Sequence, residues 1–186
     1  MKWVKRIAIV LAVLLIVPMA ALLVLGHRKN AGVAQAAAEI DAPPDRVWSW
    51  IDDGDKLKQW VSWMVDVKYP DPQKTNGLGA RRVLVMKDEN NGGALMQIVS
   101  QYSEYAPPSR MTVDVRDTEG MFTGDETYRL TDLGNGRTRL EVRGRFHYSQ
   151  WFANLMEPLI TPQAEKKMAM DMAHLKRLAE AKAQLQ

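Results

Sequence analysis

The sequence predicts an α+β fold, with a strongly curved antiparallel sheet around one long C-terminal helix and an apolar helix at the N-terminus. Along the chain, local patterns predict one strand, two short helices, about six consecutive strands and a final helix. The strand segments alternate apolar and polar residues, as half-buried antiparallel strands do. The final segment carries an apolar stripe at helical spacing, and such a helix can cover the apolar concave face of the sheet.

The N-terminal segment, residues 1–30, is expected to be a membrane anchor. Residues 7–26, IAIVLAVLLIVPMAALLVLG, contain no charge, and a helix of about 20 residues spans the roughly 30 Å hydrocarbon core of a bilayer. Three cationic side chains precede this run and two follow it. The positive-inside bias therefore favours a single-pass protein of the cell membrane whose soluble domain faces the outer, periplasmic side. The alternative is a cleaved signal peptide, because an Ala-x-Ala triplet occurs at 34–36.

Composition restricts the function of the remainder, which is predicted to be one domain over residues 34–186. Residues 1–29 hold five of the 25 Lys and Arg residues and none of the 22 acidic residues, so the domain itself is nearly neutral. A neutral domain gives no electrostatic reason to expect nucleic acid as a partner. The chain has no cysteine, which excludes disulfides, thiolate nucleophiles and cysteine-based zinc sites.

The domain begins with a predicted strand at 34–41 and two short helices. A double proline ends the strand, and Pro44 suits the first turn of a helix. Apolar residues then recur at steps of three and four, and a second helix is predicted at 55–61. This region holds four of the six tryptophans: Trp48, Trp50, Trp60 and Trp63. We expect the helix pair to close one end of an apolar space, with Trp60 and Trp63 lining it and Trp48 in the core.

Six strand segments follow, separated by clusters of glycine, asparagine and proline. They cover residues 64–69, 81–87, 94–102, 111–115, 125–131 and 137–148. The Asn135-Gly136 pair is a strong hairpin signal between the last two strands. In the last strand, Leu140, Val142 and Phe146 face one way, whereas His147 faces the other. The pattern therefore predicts a sheet with one apolar and one polar face.

The final helix is predicted to begin near Pro162 and to continue to Gln186. Its apolar stripe consists of Met168, Met172, Leu175 and Ala179. Seven of the 11 methionines are expected near apolar faces: Met96, Met111, Met121, Met156, Met168, Met170 and Met172. Methionine is unbranched and flexible, so it often fills gaps in a core, and a methionine-rich wall can also adapt to varied apolar ligands.

This order of elements resembles the START-like (SRPBCC) superfamily, which includes polyketide cyclase/dehydrase-like proteins, lipid-transfer proteins and the birch-pollen-allergen fold. The resemblance covers residues 34–186 and depends on segments EIDAPPDRVWSWIDDGDKLKQW, GLGARRVL, YSEYAPPSRMTVDV and MAMDMAHLKRLAEA. It implies a helix-grip fold, in which a curved seven-stranded sheet surrounds the C-terminal helix with a cavity between them. It also implies binding of lipids, sterols, polyketides or other apolar small molecules.

The sequence offers little that indicates catalysis. No nucleophile, metal-binding, phosphate-binding or dinucleotide-binding motif occurs, so we predict no catalytic residue, no metal and no cofactor. Among the three histidines, only His174 falls near the apolar stripe, and an edge position is expected for it. Glu126 shares a strand face with Tyr128, and we expect it to lie at a strand end in water. If the protein is an enzyme, Glu126 and Tyr128 are the candidates for chemistry.

We therefore expect a membrane-anchored domain that binds an apolar small molecule or lipid in an internal cavity without chemical turnover. The predicted cavity-lining residues are Trp60, Trp63, Met96, Met111, Val113, Tyr128, Leu140, Val142, Phe146, Met168, Met172 and Leu175. Residues 7–26 would hold the domain next to the membrane. Two alternatives stay open at this stage. One is a polyketide cyclase/aromatase-like enzyme, and the other is a regulatory module that binds another protein through the same face.

Overall fold

The computed structural model of the chain describes residues 2–26, 31–88 and 92–181. In chain order its elements are α1 (Lys2–Gly26), β1 (Val33–Ile40), α2 (Pro44–Asp52), α3 (Gly54–Trp60), β2 (Met64–Lys68), β3 (Arg81–Asp88), β4 (Ala94–Ala106), β5 (Arg110–Asp117), β6 (Phe122–Gly134), β7 (Arg137–Tyr148) and α4 (Trp151–Ala181). The predicted order of elements is confirmed. The basic residues Arg28 and Lys29, and the predicted end of the last helix at Gln186, lie outside the described residues.

The seven strands form one antiparallel sheet in the order β1-β7-β6-β5-β4-β3-β2. Strands β2 to β7 follow one another as a meander, and β1 returns beside β7, where Val33 pairs with Arg145 and Ile40 with Thr138. The ladder shifts register at three places, between 64 and 66, 102 and 104, and 132 and 134. Such irregularities increase local twist and bend, which suits a sheet that curls into a half-barrel. The predicted α+β helix-grip class is confirmed.

The concave face of the sheet can be followed strand by strand from the pairing register. One row across the face runs from Tyr102 on β4 through Val113 on β5 and Glu126 on β6 to Gly144 on β7. The next row, on the side of the Leu130 and Leu140 pair, runs through Met111, Tyr128 and Val142. Because side chains alternate between faces along a strand, all of these residues point to the same side.

The helix pair α2 and α3 lies at one end of this face. Pro43 and Pro44 begin α2 with a preset backbone angle, and Val47, Trp50 and Ile51 are buried on its inner side. Asp53 then accepts hydrogen bonds from the backbone amides of residues 55 and 56 and so caps α3. The Trp60 indole donates to the carbonyl of Trp50 at 2.9 Å, which ties the two helices together.

Helix α4 differs from the prediction at its start. It begins at Trp151 rather than near Pro162, so that Pro158 and Pro162 both lie inside it. Proline favours the first helical turn, which explains the predicted boundary, but it is also tolerated inside a helix when the freed backbone group has another partner or is in water. Helix α4 packs mainly on β1 and also contacts β7, α1, α2 and α3.

One hydrophobic core joins the sheet, the helix pair and the second half of α4. Its fully buried members include Ile40, Met111 and Leu140 from the sheet and Met172 and Leu175 from α4. Trp48, which we expected in the core, is buried there and meets Tyr105 edge to face. The predicted positions of three methionines were wrong, because Met121, Met156 and Met170 are exposed.

Candidate functional site

The residues predicted to line a cavity all belong to one interior region, on the concave side of the sheet. Seven of them are buried in the core: Trp60, Met111, Val113, Leu140, Val142, Met172 and Leu175. The other five are half-buried and pack against it: Trp63, Met96, Tyr128, Phe146 and Met168. Only the second group has accessible surface to offer a ligand. That these residues bind a ligand remains a prediction.

Glu126 and Tyr128 form a hydrogen-bonded pair near the middle of the concave face. The Tyr128 hydroxyl donates to a Glu126 carboxylate oxygen at 3.1 Å. Burial raises the pKa of the Glu126 carboxyl, whereas this hydrogen bond and the charge of Arg82 oppose the shift. Burial also raises the pKa of the Tyr128 hydroxyl far above its usual value. Glu126 is therefore an interior residue, and the expectation that it lies in water at a strand end was wrong.

Glu126 and Tyr128 belong to a row of half-buried side chains on β6. Burial dominates their pKa shifts, yet both keep part of their surface accessible. Phe122 and Gly124, on the same strand and face, are half-buried as well. Helix α4 packs on β1 and β7 rather than on β6. We use the name gap for the region between these half-buried side chains of β6 and α4.

Two glycines shape the lining of this gap around Phe146. A Cβ atom on Gly144 would lie 2.7 Å from the Phe146 ring, and one on Gly124 would lie 2.9 Å from it. Both distances are too short for ordinary contact, so the absence of side chains allows the ring to lie close to the sheet. The ring meets Phe122 edge to face, with the centroids 6.0 Å apart. An aromatic floor thus lies beside Glu126.

A second polar group lies on the same face, on β3 and β4. Arg82 and Ser100 are paired in register and are 3% and 1% exposed. The Arg82 guanidinium donates to the carbonyl of Asp52 at 3.3 Å and lies over the Tyr102 ring, 4.7 Å from its centroid. Alternation along β3 places Arg82 on the same face as Leu84 and Met86. A charge on an apolar strand face was the signal that could have identified it.

Asp52, at the end of α2, connects the helix pair to the sheet. Its carboxylate accepts hydrogen bonds from the Tyr102 hydroxyl at 2.7 Å and the Tyr105 hydroxyl at 2.8 Å. Burial and this hydrogen bond raise the pKa of Tyr105 to about 12. Burial likewise raises the pKa of Tyr102. Both tyrosines are therefore neutral donors, and Asp52 holds the end of α2 against the sheet.

A separate pocket of about 420 Å³ opens to solvent beside the helix pair. Its lining consists of Trp48, Ser49, Asp52, Asp53, Lys56, Tyr69, Thr75 and Asn76. None of the predicted cavity-lining residues belongs to it. Within the described part of the chain, no group of three or more acidic or histidine side chains could hold a metal ion. His174 is half-buried on α4 and His147 is exposed, as the strand and helix patterns predicted.

Comparisons with known proteins agree with the architecture. A family model described as "Polyketide cyclase / dehydrase and lipid transport" matches residues 32–180. No curated protein matches the chain. A solved structure from Chromobacterium violaceum is 17% identical, with a TM-score of 0.63 over 80% of this chain and 97% of that one. One from Thermus thermophilus is 18% identical, with a TM-score of 0.65 over 80% and 97%. A conserved protein from Geobacillus kaustophilus is 11% identical, with a TM-score of 0.66 over 79% and 94%. At these identities the structures show the fold.

Proposed function

The chain belongs to the polyketide cyclase/dehydrase and lipid transport family of the START-like superfamily, and from this premise we propose that its domain binds an apolar small molecule or lipid. The ligand would occupy the gap between the sheet and α4. The observation that carries the proposal is the set of enclosed but still accessible side chains on the concave face, Glu126, Tyr128 and Phe146 among them. A well-packed interior would leave such residues without accessible surface.

Mass spectrometry of the purified domain, residues 31–186, tests the proposal. We expect an apolar compound to co-purify, and its amount to fall in the Met168→Trp variant, because Met168 is half-buried against the core and a larger ring there would fill the gap. Met170→Trp is the matched control on the same helix, since Met170 is 64% exposed. A domain that carries no apolar compound and takes up no fluorescent apolar probe would refute the proposal.

The domain would be held at a membrane by α1. This helix is long and apolar enough to cross a bilayer over Lys2–Val24, a property that a signal sequence shares. We propose that residues 1–30 are retained as an anchor and that residues 34–186 form a ligand-binding domain on the outer side. The measured mass of the mature chain distinguishes an anchor from a cleaved signal. Protease digestion of intact cells then reports which side of the membrane the domain occupies.

A second candidate function is favoured by the Glu126 and Tyr128 pair. A carboxyl whose pKa is raised by burial can act as a general acid, and a tyrosine bonded to it can orient a substrate oxygen. The family includes polyketide cyclases, for which such a pair would be suited. If the domain is an enzyme, Glu126→Gln should cause the bound compound, or an added polyketide, to persist unconverted. If it is a carrier, this variant should leave the chemical identity of the bound compound unchanged.

A further inference from the structure

Two polar side chains on the concave face have atoms without a hydrogen-bond partner. The Arg82 Nε and the Ser100 Oγ are buried, and neither has a partner among the described residues. The two residues are register partners on β3 and β4, so their side chains stand side by side on one face. Unpaired buried donors are unfavourable, and a group that accepted from both would remove that penalty. An acceptor supplied by a bound molecule would satisfy both atoms.

The charge of Arg82 also lacks a bonded counter-ion. Its contacts are a backbone carbonyl and the Tyr102 ring. None of the ion pairs within residues 2–26, 31–88 and 92–181 includes it. The carboxylate of Asp52 is used by the hydroxyls of Tyr102 and Tyr105. A buried guanidinium with a free donor is the side chain that best binds a carboxylate or phosphate.

Glu126 does not supply the missing negative charge. It faces the same gap, and the charge of Arg82 acts on it, but burial raises the pKa of its carboxyl. Burial disfavours the ionised form of this carboxyl, so it is a weaker partner for Arg82 than an ordinary glutamate would be. The hydrogen bond from Tyr128 further occupies one oxygen of Glu126. The interior therefore combines an apolar, aromatic lining with a buried guanidinium that has no ion-pair partner among the described residues.

We propose that the ligand is an amphipathic anion, whose carboxylate or phosphate head pairs with Arg82 and Ser100. Its apolar body would lie along the half-buried side chains of Phe146, Met96 and Met168. This inference rests on the proposed function, because it assigns the chemical class of the ligand in the same gap. It adds a prediction that the proposed function does not make, namely discrimination between an acid and its neutral ester.

Photo-crosslinking of the full chain in bilayer nanodiscs tests this inference. The probe is a palmitic acid that carries a diazirine on its chain, and the competitors are palmitic acid, its methyl ester and lysophosphatidic acid. We expect the free acid to compete about ten-fold or more better than the ester, as a hydrogen bond to a charged group predicts. If lysophosphatidic acid competes better than palmitic acid, the head group of the ligand is a phosphate. If palmitic acid competes better, the head group is a carboxylate.

Three variants locate the effect. Arg82→Met removes the charge and keeps an apolar side chain, whereas Ser100→Ala removes only a hydroxyl and is the milder change. Arg82→Met should reduce labelling by the acid probe to the level seen with an ester probe, and Ser100→Ala should reduce it by less. Arg81→Met is the matched control, because Arg81 is exposed on the opposite face of the same strand. Equal competition by acid and ester, or unchanged labelling in both variants, would overturn the inference. Absence of interior labelling by either probe would instead refute the proposed function.

A different observation concerns the first turns of α4, residues 151–160. Here the apolar side chains point outward, since Trp151 is 74%, Phe152 54%, Met156 39% and Leu159 49% exposed. The one fully buried side chain of these turns is Glu157, which accepts a hydrogen bond from the backbone amide of Gly32 at 2.8 Å. Ala153, Leu155, Pro158 and Ile160 are half-buried, so this segment has apolar side chains on its exposed side as well as on its inner side.

The position of Gly32 relates this segment to the membrane. Gly32 follows the end of α1 at Gly26 by six residues, which can span at most about 20 Å. The Gly32 carbonyl also accepts from the amide of Phe146 at 2.8 Å, so this point of the chain is bonded to both β7 and α4. Helix α1 itself contacts α4. If α1 spans a bilayer, residues 151–160 must lie close to the surface of that bilayer.

We also infer that residues 151–160 insert their apolar side into the membrane interface. Tryptophan and phenylalanine are enriched at this depth. Because the chain has no cysteine, an environment-sensitive fluorophore can be attached to F152C, with M170C as the control, since Met170 is an exposed position in the second half of α4. In vesicles that contain dibrominated phosphatidylcholine, we expect strong quenching for F152C and little for M170C. Equal quenching would overturn the inference. Crosslinking between copies through F152C without quenching would do so as well, because it would assign the surface to a second copy.

Discussion

The concave face of the sheet has two ends, and α4 meets them in opposite ways. At one end, Leu130 and Leu140 are buried together with Leu175 and Ala179 from the second half of α4. At the other end, Phe122, Glu126 and Phe146 keep accessible surface, and the first half of α4 carries exposed apolar side chains and the buried Glu157. The first end has the composition of a core. The second has partly accessible side chains and two buried polar atoms without a partner, and it is the end to which we assign the proposed ligand.

Bonds between α4 and β1 define these two ends. Near the close of the helix, Glu180 accepts from the amide of Asp41 at 2.9 Å and Lys176 donates to the carbonyl of Glu39 at 2.6 Å. Near its start, Glu157 accepts from Gly32. The helix is therefore bonded to the region of the edge strand β1 near both of its ends. Stability and binding are expected to separate along the helix, and the following predictions test that separation.

The largest effect is expected at the packed end. Leu175→Ala should lower the free energy of unfolding by about 2–5 kcal/mol, because it removes a fully buried side chain and leaves a cavity. Leu159→Ala, the same change in the first half of α4, should have an effect within about 0.5 kcal/mol, since Leu159 is exposed. Chemical unfolding of residues 31–186 measures both. Similar losses in the two variants would show that the halves are equally structural.

The next effect concerns the polar contact that holds the first half of α4. Glu157→Ala would leave the Gly32 amide and the Thr161 hydroxyl, which both bond to Glu157, without their buried acceptor. The expected loss is about 1–3 kcal/mol, and Glu157→Gln, which keeps an acceptor oxygen, should lose less. Unfolding curves of the two variants give the comparison. A Glu157→Gln variant as unstable as Glu157→Ala would show that the charge, rather than the hydrogen bonds, matters here.

The sequence predicted the packed end well and the binding end poorly, and the reason is physical. Alternation along β5 and β7 and the spacing of Met172 and Leu175 identify residues whose burial is set by their own pattern. Arg82 and Glu126 break that pattern, because their placement depends on tertiary neighbours such as Asp52 and Tyr128. The predicted start of α4 was wrong for a related reason. Its first turns are bonded to Gly32, which lies 125 residues away in the sequence, and no local signal records such a contact.

The third prediction concerns pH and the carboxyl of Glu126. The pKa of this carboxyl is raised in the folded chain. Between its ordinary pKa and the raised pKa, the folded chain holds a proton that the unfolded chain releases, and at higher pH the buried carboxyl ionises at a cost in folding free energy. Stability should therefore decrease as the pH rises through this range, and Glu126→Gln, which cannot ionise, should avoid the decrease. The charges that face the group are Arg82, which opposes the shift, and Asp125, which adds to it.

Unfolding at about pH 4 and about pH 8 gives the measurement, since an ordinary glutamate ionises near pH 4. We expect Glu126→Gln and the wild-type chain to differ little at the lower pH and the variant to gain relative stability at the higher pH. Glu141→Gln is the control, because Glu141 lies on β7 in an exposed pair with Arg139. An equal pH response in the two variants would contradict an interior position for Glu126.

The smallest effect on stability is expected at the outward apolar side of α4. Phe152→Ser should change the free energy of unfolding by no more than about 0.5 kcal/mol, because the side chain is half exposed and its ring contact is with the exposed Trp151. When made as a domain of residues 31–186, the same variant should bind less well to phosphatidylcholine vesicles than the unaltered domain does. A variant that loses vesicle binding and keeps its stability would separate the two ends of α4 by function. A variant that loses both would instead show that Phe152 contributes to the stability of the fold.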